Sequence, residues 1–201
     1  MSFRKEEKII INNEKLFDLK NWLNKNNAIE IHNPRIVNSI YFDNKDFSMY
    51  HDSNEGTLPR KKIRLRCYNE NFNFDGAVKK EIKISSFEGR FKDSSSDKNS
   101  NKIFKLGVFD NIYGICDPIL NVTYTRRYFL IKNIRITLDE KIFYKKISNK
   151  IISSFREIEN LNVLELKSDM NTDANKLIMN FPFERQRFSK YCKGIEKVYR
   201  I

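Results

Sequence analysis

A chain of 201 residues with 40% apolar and 13% aromatic residues is long enough to bury a sizeable core in one substantial domain. Its net charge of +12 favours an anionic partner: a nucleic acid, a nucleotide, another polyanion or a membrane surface. Cys67, Cys116 and Cys192 are too far apart for a CxxC site and odd in number. His32 and His51 form no HExxH pair, and no P-loop or GxSxG elbow occurs, which speaks against a disulfide framework and against histidine-based metal or triad chemistry.

Taken in chain order, period-two alternation predicts strands near 3–11, 36–43, 61–68, 77–85, 119–130, 133–143 and 161–168. Helical spacing appears in "NEKLFDLKNWLNKN", where Leu16, Leu19, Trp22 and Leu23 share a face behind Asn12 or Asn13 as a cap. Shorter helices are expected around 45–52 and 173–180, the latter with Leu177, Ile178 and Phe181 as its apolar side. The polar run "KDSSSDKNSNK", 92–102, reads as a flexible loop inside a single domain spanning 1–201. "MSFRKEEK" lacks the apolar core of a signal peptide, and no apolar run approaches the roughly 20 residues that cross a bilayer, so a soluble cytoplasmic protein is expected.

The strands share an unusual polarity. In "RKKIRLRCY", Lys62, Arg64 and Arg66 oppose Ile63, Leu65 and Cys67; in "VKKEIKI", Lys79, Glu81 and Lys83 oppose Val78, Ile82 and Ile84. "IRITLDEKI" sets Arg135, Thr137 and Asp139 against Ile134, Ile136 and Leu138, and "VLELK" sets Glu165 and Lys167 against Leu164 and Leu166. With Arg4, Lys8 and Arg126, basic residues on these faces outnumber the acids Glu6, Asp43, Glu81, Asp139 and Glu165. Two architectures fit. An antiparallel sheet can turn such a face to water; a barrel can turn it inward, where an ionic ligand must neutralise it. The positive excess favours an anion on this face.

The ordered set "FRKEEKIII", "VNSIYFDNKDFSMY", "RKKIRLRCY", "VKKEIKI", "PILNVTYTRRYF", "IRITLDEKI", "NVLELKSD" and "RFSKYCKGIE" resembles the VTC domain, the polyphosphate polymerase branch of the CYTH or triphosphate tunnel superfamily. The resemblance implies a mainly β fold: an eight-stranded antiparallel barrel tunnel with a charged lumen, flanked by helices. It implies transfer of the γ-phosphoryl of ATP to a growing inorganic polyphosphate chain with Mn²⁺ or Mg²⁺. Positions matching the family's phosphate contacts are Lys8, Arg64, Arg66, Lys83, Arg126, Arg135 and Lys190, joined by Lys62 and Lys193. Arg64, Arg66, Lys83, Arg126 and Lys190 are the expected catalytic groups. Glu165 matches the metal-binding glutamate, with Glu6 a second acidic contributor.

Where hydrolytic tunnel enzymes carry ExExK on the first strand, this chain has Arg4, Glu6 and Lys8, a cation replacing a carboxylate. Glu81 is expected to pair with Lys79, Lys83 or Arg66, Asp139 to orient an arginine or neighbour the metal, and Tyr41, Asp43 and Tyr124 to be structural. Two other functions stay open at this point: a triphosphatase using water as acceptor, and a non-catalytic polyphosphate- or nucleic-acid-binding module. Aliphatic rather than aromatic residues alternate with the basic rows, which disfavours nucleic-acid stacking. A membrane or regulatory partner is left unidentified.

Overall fold

The computed structural model describes residues 4–96, 98–169, 183 and 186–201. Mostly antiparallel β structure with few helices is observed, as expected. The strands are β1 (Arg4–Asn12), β2 (Ile29–Asp43), β3 (Arg60–Cys67), β4 (Lys79–Ser86), β5 (Gly89–Ser96), β6 (Val108–Asp110), β7 (Gly114–Ile131), β8 (Ile134–Ser148), β9 (Ile151–Ile152), β10 (Glu157–Ile158) and β11 (Leu161–Asp169). Helices are α1 (Leu16–Lys25), α2 (Ser48–Glu55), α3 (Ser100–Leu106) and α4 (Lys190–Tyr199). The expected helix at 173–180 lies outside the described residues.

The main hydrogen-bonded path runs β1-β11-β8-β7-β2-β3-β4-β5, eight strands, with β6 beside β7 and β9 and β10 beside β8. Among the described residues no ladder joins the end strands β1 and β5. The chain divides into two compact units, Met1–Arg35 with Tyr124–Ile142 and Glu159–Phe188, and Ile36–Thr123 with Phe143–Ile158 and Ser189–Ile201.

The first unit is built on the β1-β11-β8 ladder. Its register sets Ile9 against Leu164 and Leu164 against Leu138, so the aliphatic rows fall on one face and the charged rows on the other. Helix α1 covers the aliphatic face. Leu19, Trp22 and Leu23, spaced i, i+3, i+4, sink into a core with Ile9, Ile11, Ile134, Ile136, Leu138 and Leu166. Each such side chain contributes about 1.5–3 kcal/mol. The expected asparagine cap is absent: a 3₁₀ turn, Asn13–Lys15, precedes α1, and Asn12 makes no side-chain cap bond. Asn13 Oδ1 instead accepts from the Asn162 amide at 2.8 Å, tying the turn to β11.

In the second unit β2, β3, β4 and β5 form a meander. The segment expected as a loop is strand over 92–96 and helix from Ser100: β5 pairs with β4 from Ser86↔Gly89 to Lys79↔Ser96, and α3 begins at Ser100. The reason for the difference is exposure. Nearly every side chain of β5 faces solvent, so backbone pairing holds it without apolar alternation. Asp43 anchors α2: Oδ1 accepts from the Asn44 and Met49 amides, and Oδ2 accepts from the Tyr50 amide and from Tyr191 Oη at 2.5 Å. Helix α4 lies tightly against the sheet at Gly194, where a Cβ would stand 2.7 Å from Leu120 and 2.8 Å from Tyr144.

Candidate functional site

Strand register in the first unit places charge in rows. Glu6, Lys167 and Arg135 stand opposite one another across β1, β11 and β8, and beside them Lys8, Glu165 and Thr137 form the next row. Lys167 Nζ lies 2.8 Å from Glu165 and 3.8 Å from Glu6; Lys8 Nζ lies 3.8 Å from Glu6 and donates to the Phe188 carbonyl. Arg126 comes from β7. It grips Asp139 with both arms of its fork, Nε to Oδ1 at 2.5 Å and Nη2 to Oδ2 at 2.7 Å, and Nη2 stands 3.9 Å from Glu165. Asp139 is therefore the orienting partner of an arginine. Tyr124 is buried under the Arg126 guanidinium, which sits 5.3 Å from its ring centroid. Arg135 is exposed and rests over Tyr128.

Rows recur in the second unit. Tyr41, Arg64, Glu81 and Ser94 face one another across β2 to β5; Lys62, Lys83 and Lys92 form the row on one side, and Ser39, Arg66, Lys79 and Ser96 that on the other. Three lysines directly opposite one another repel. Glu81, only 2% exposed, is the local counterion: Oε2 accepts from Arg64 Nε at 2.7 Å and stands 3.6 Å from Arg66, while Oε1 pairs with Lys92 at 2.5 Å. Its closest partners are thus Arg64 and Lys92, and of the three cations expected from sequence Arg66 stands 3.6 Å away. Arg64 Nη1 also donates to Tyr41 Oη at 2.8 Å, and the Tyr41 ring stacks on Tyr191. Lys62 Nζ donates to Ser189 Oγ, the cap of α4, and lies over Tyr191. Lys190 occupies the first turn of α4, half-buried, whereas Lys193 is exposed and pairs with Glu196 at 2.7 Å.

Sequence reasoning missed Lys92, because its segment carries no alternation and only the β4–β5 ladder brings it to Glu81. It also missed Ser189 as the residue that receives Lys62.

The model of the VTC domain family matches residues 3–199. The chain belongs to the VTC domain family. A search of curated proteins found no match. Among solved structures, this VTC domain is similar to a "putative adenylate cyclase" from Bacillus halodurans (TM-score 0.61, 10% identity, covering 98% of each chain). It is also similar to one from Vibrio parahaemolyticus (TM-score 0.54, 14% identity, 94% of this chain and 95% of that one). A third is an adenylyl cyclase candidate from Hippeastrum whose dominant activity is that of a triphosphatase (TM-score 0.56, 11% identity, 98% and 96%). At these identities the likeness is one of fold.

Electrostatics in the VTC domain follow the rows. Burial alone would raise the Glu165 carboxyl; Lys167, the adjoining Glu6 carboxyl, Arg126 and Lys8 more than offset it and hold it well below its usual range. Glu81 behaves alike: burial opposes ionisation, but Arg64, Arg66 and Lys92 bring it down from 4.5 to about 2. The folded value lies below the unfolded one, so the stabilisation is complete above pH 4.5 and drains away as pH falls toward 2. About 3 kcal/mol is at stake. Denaturant titrations from pH 7 to pH 3 are expected to show a steep loss in the wild type that is flattened in Glu81→Gln.

The donor set for a divalent cation is small. Among the described residues no group of three or more His, Cys, Asp or Glu side chains could enclose an ion. Glu165 and Glu6 are neighbours, and Thr137 Oγ1, opposite Glu165, is buried without a partner among the described residues. Such a set suits a hard cation that keeps waters and shares phosphate oxygens, the habit of Mg²⁺, and does not suit an all-protein cage.

Proposed function

We propose that this VTC domain, residues 1–201 as one functional domain, is a metal-dependent phosphotransferase of the polyphosphate polymerase type. It would transfer the γ-phosphoryl of ATP to orthophosphate, pyrophosphate or a polyphosphate end. The observation that carries the reading is Arg66: 8% exposed, its Nε without a partner among the described residues and its Nη1 3.6 Å from a carboxylate already bonded to Arg64 and Lys92. A buried cation with unspent donors is costly unless an anion joins it.

The remaining residues fall into roles by what holds them. Arg64 is fixed by Glu81 and Tyr41 and contributes oriented charge; Lys62 and Lys83 contribute point charges in a lysine row that an anion relieves. In the other unit Arg126, locked by Asp139, together with Lys8 and Arg135 offers donors to phosphate oxygens. Lys190 and Lys193 add charge on α4. Glu165 and Glu6 would hold Mg²⁺ or Mn²⁺, which supplies charge neutralisation to the phosphates it contacts. Phosphoryl transfer needs positioning and charge stabilisation more than a protein nucleophile, and a terminal phosphate acceptor is already an oxyanion, so no histidine base is required.

A second reading, a triphosphatase with water as acceptor, draws support from the dominant activity of the Hippeastrum neighbour. Arg4 in place of the first ExExK carboxylate favours the polymerase instead. Incubation with ATP and Mn²⁺ or Mg²⁺, followed by gel analysis, decides: long-chain polyphosphate with ADP is the expected product. Orthophosphate release without polymer would establish the triphosphatase, and binding without turnover a non-catalytic module.

A further inference from the structure

Ser39 on β2 and Arg66 on β3 stand directly opposite each other in the antiparallel ladder. Ser39 is 0% exposed and Arg66 8%. Neither Ser39 Oγ nor Arg66 Nε has a hydrogen-bond partner among the described residues. Buried donors are almost always satisfied, so two orphans side by side mark a place where something else belongs. The hydroxyl is both donor and acceptor, the guanidinium donor only, and they do not satisfy each other. A group that serves both must accept from both. Water fits the hydrogen-bonding need but leaves Arg66 with only a share of Glu81, at 3.6 Å, since that carboxylate is bonded more closely by Arg64 and Lys92. An oxyanion answers both needs.

We propose that Ser39 Oγ and Arg66 Nε form a two-donor subsite for one oxygen of a bound phosphoryl group, Ser39 being a binding residue. The assignment rests on the phosphate-handling reading above. Its chemistry is general to phosphoryl oxygens: a guanidinium N–H gives charge, and the hydroxyl adds a neutral donor that fixes the oxygen's position between β2 and β3.

Isothermal titration of the whole chain with inorganic tripolyphosphate tests it. Ser39→Ala is expected to weaken binding about tenfold, the worth of one hydrogen bond to a charged acceptor, while leaving the salt dependence of affinity unchanged because no charge is lost. Combined with Arg66→Lys, the loss should be smaller than the product of the single losses, since both donors meet one oxygen. Ser39→Cys, with similar volume and a weaker donor, should bind between wild type and Ser39→Ala. Wild-type affinity in Ser39→Ala, with wild-type tripolyphosphate binding intact, overturns the subsite alone and assigns the hydroxyl to water. Independent losses in the double variant overturn it too. Failure of the wild type to bind tripolyphosphate overturns both the subsite and the phosphotransferase reading.

Discussion

Asp139→Ala is expected to destabilise the protein by about 3–5 kcal/mol, the cost of breaking a buried ion pair and leaving one charge behind. Asp139 is 0% exposed, and both of its oxygens are engaged by the Arg126 fork. Without it the guanidinium keeps the Tyr124 ring beneath it and a distant Glu165, at 3.9 Å, which Lys167 already claims at 2.8 Å. Burial then works against Arg126 without the paired charge and the two hydrogen bonds that Asp139 supplies. Asp139→Asn retains the volume and one acceptor and should lose roughly half as much. Urea denaturation monitored by circular dichroism measures both. A loss below about 1 kcal/mol for Asp139→Ala would show that Arg126 relaxes into water, and would remove the rigid placement that its proposed phosphate contact requires.

Much of this was legible from alternation alone. The rows Lys62–Arg64–Arg66, Lys79–Glu81–Lys83 and Arg135–Thr137–Asp139 could be read because period two puts every second side chain on one face. The aliphatic rows and α1 followed from the same reasoning, and they meet as expected in the first unit's core. Long-range partners were not legible. Glu81 and Lys92 are eleven residues apart by number, yet only the hairpin at Phe87–Glu88 sets their rows beside each other, and β5 carries no apolar signal to announce itself. The same limit applied to α4. Its buried face, Tyr191, Cys192 and Ile195, is short, and Gly194 inside it reads locally as a helix breaker; its close approach to Leu120 and Tyr144 is a tertiary fact.

Arg66→Ala is expected to cut phosphoryl turnover about 100–1,000-fold, the scale for removing one charged donor from a preorganised site, with folding stability within about 1 kcal/mol of wild type. The asymmetry with Arg64 makes the experiment informative. These arginines are two residues apart on one strand face, and sequence cannot tell them apart. Structure can: Arg64 bonds Glu81 and Tyr41, so Arg64→Ala takes from a buried carboxylate its bond at Oε2, leaving Lys92 and the looser Arg66, and takes from a buried phenol its donor, and should cost about 3 kcal/mol. Arg66 has an Nε unpaired among the described residues and only a loose 3.6 Å approach to Glu81, which Arg64 and Lys92 hold more closely, so less native structure depends on it than on Arg64. A residue kept for folding has its donors used; one kept for a ligand holds them in reserve, at some expense of stability. Arg66→Lys separates charge from geometry, restoring electrostatic attraction but not the fork. It should recover affinity for tripolyphosphate more than turnover. Equal stability losses at positions 64 and 66, with turnover retained in Arg66→Ala, would place both arginines in the scaffold and move the phosphate contacts elsewhere.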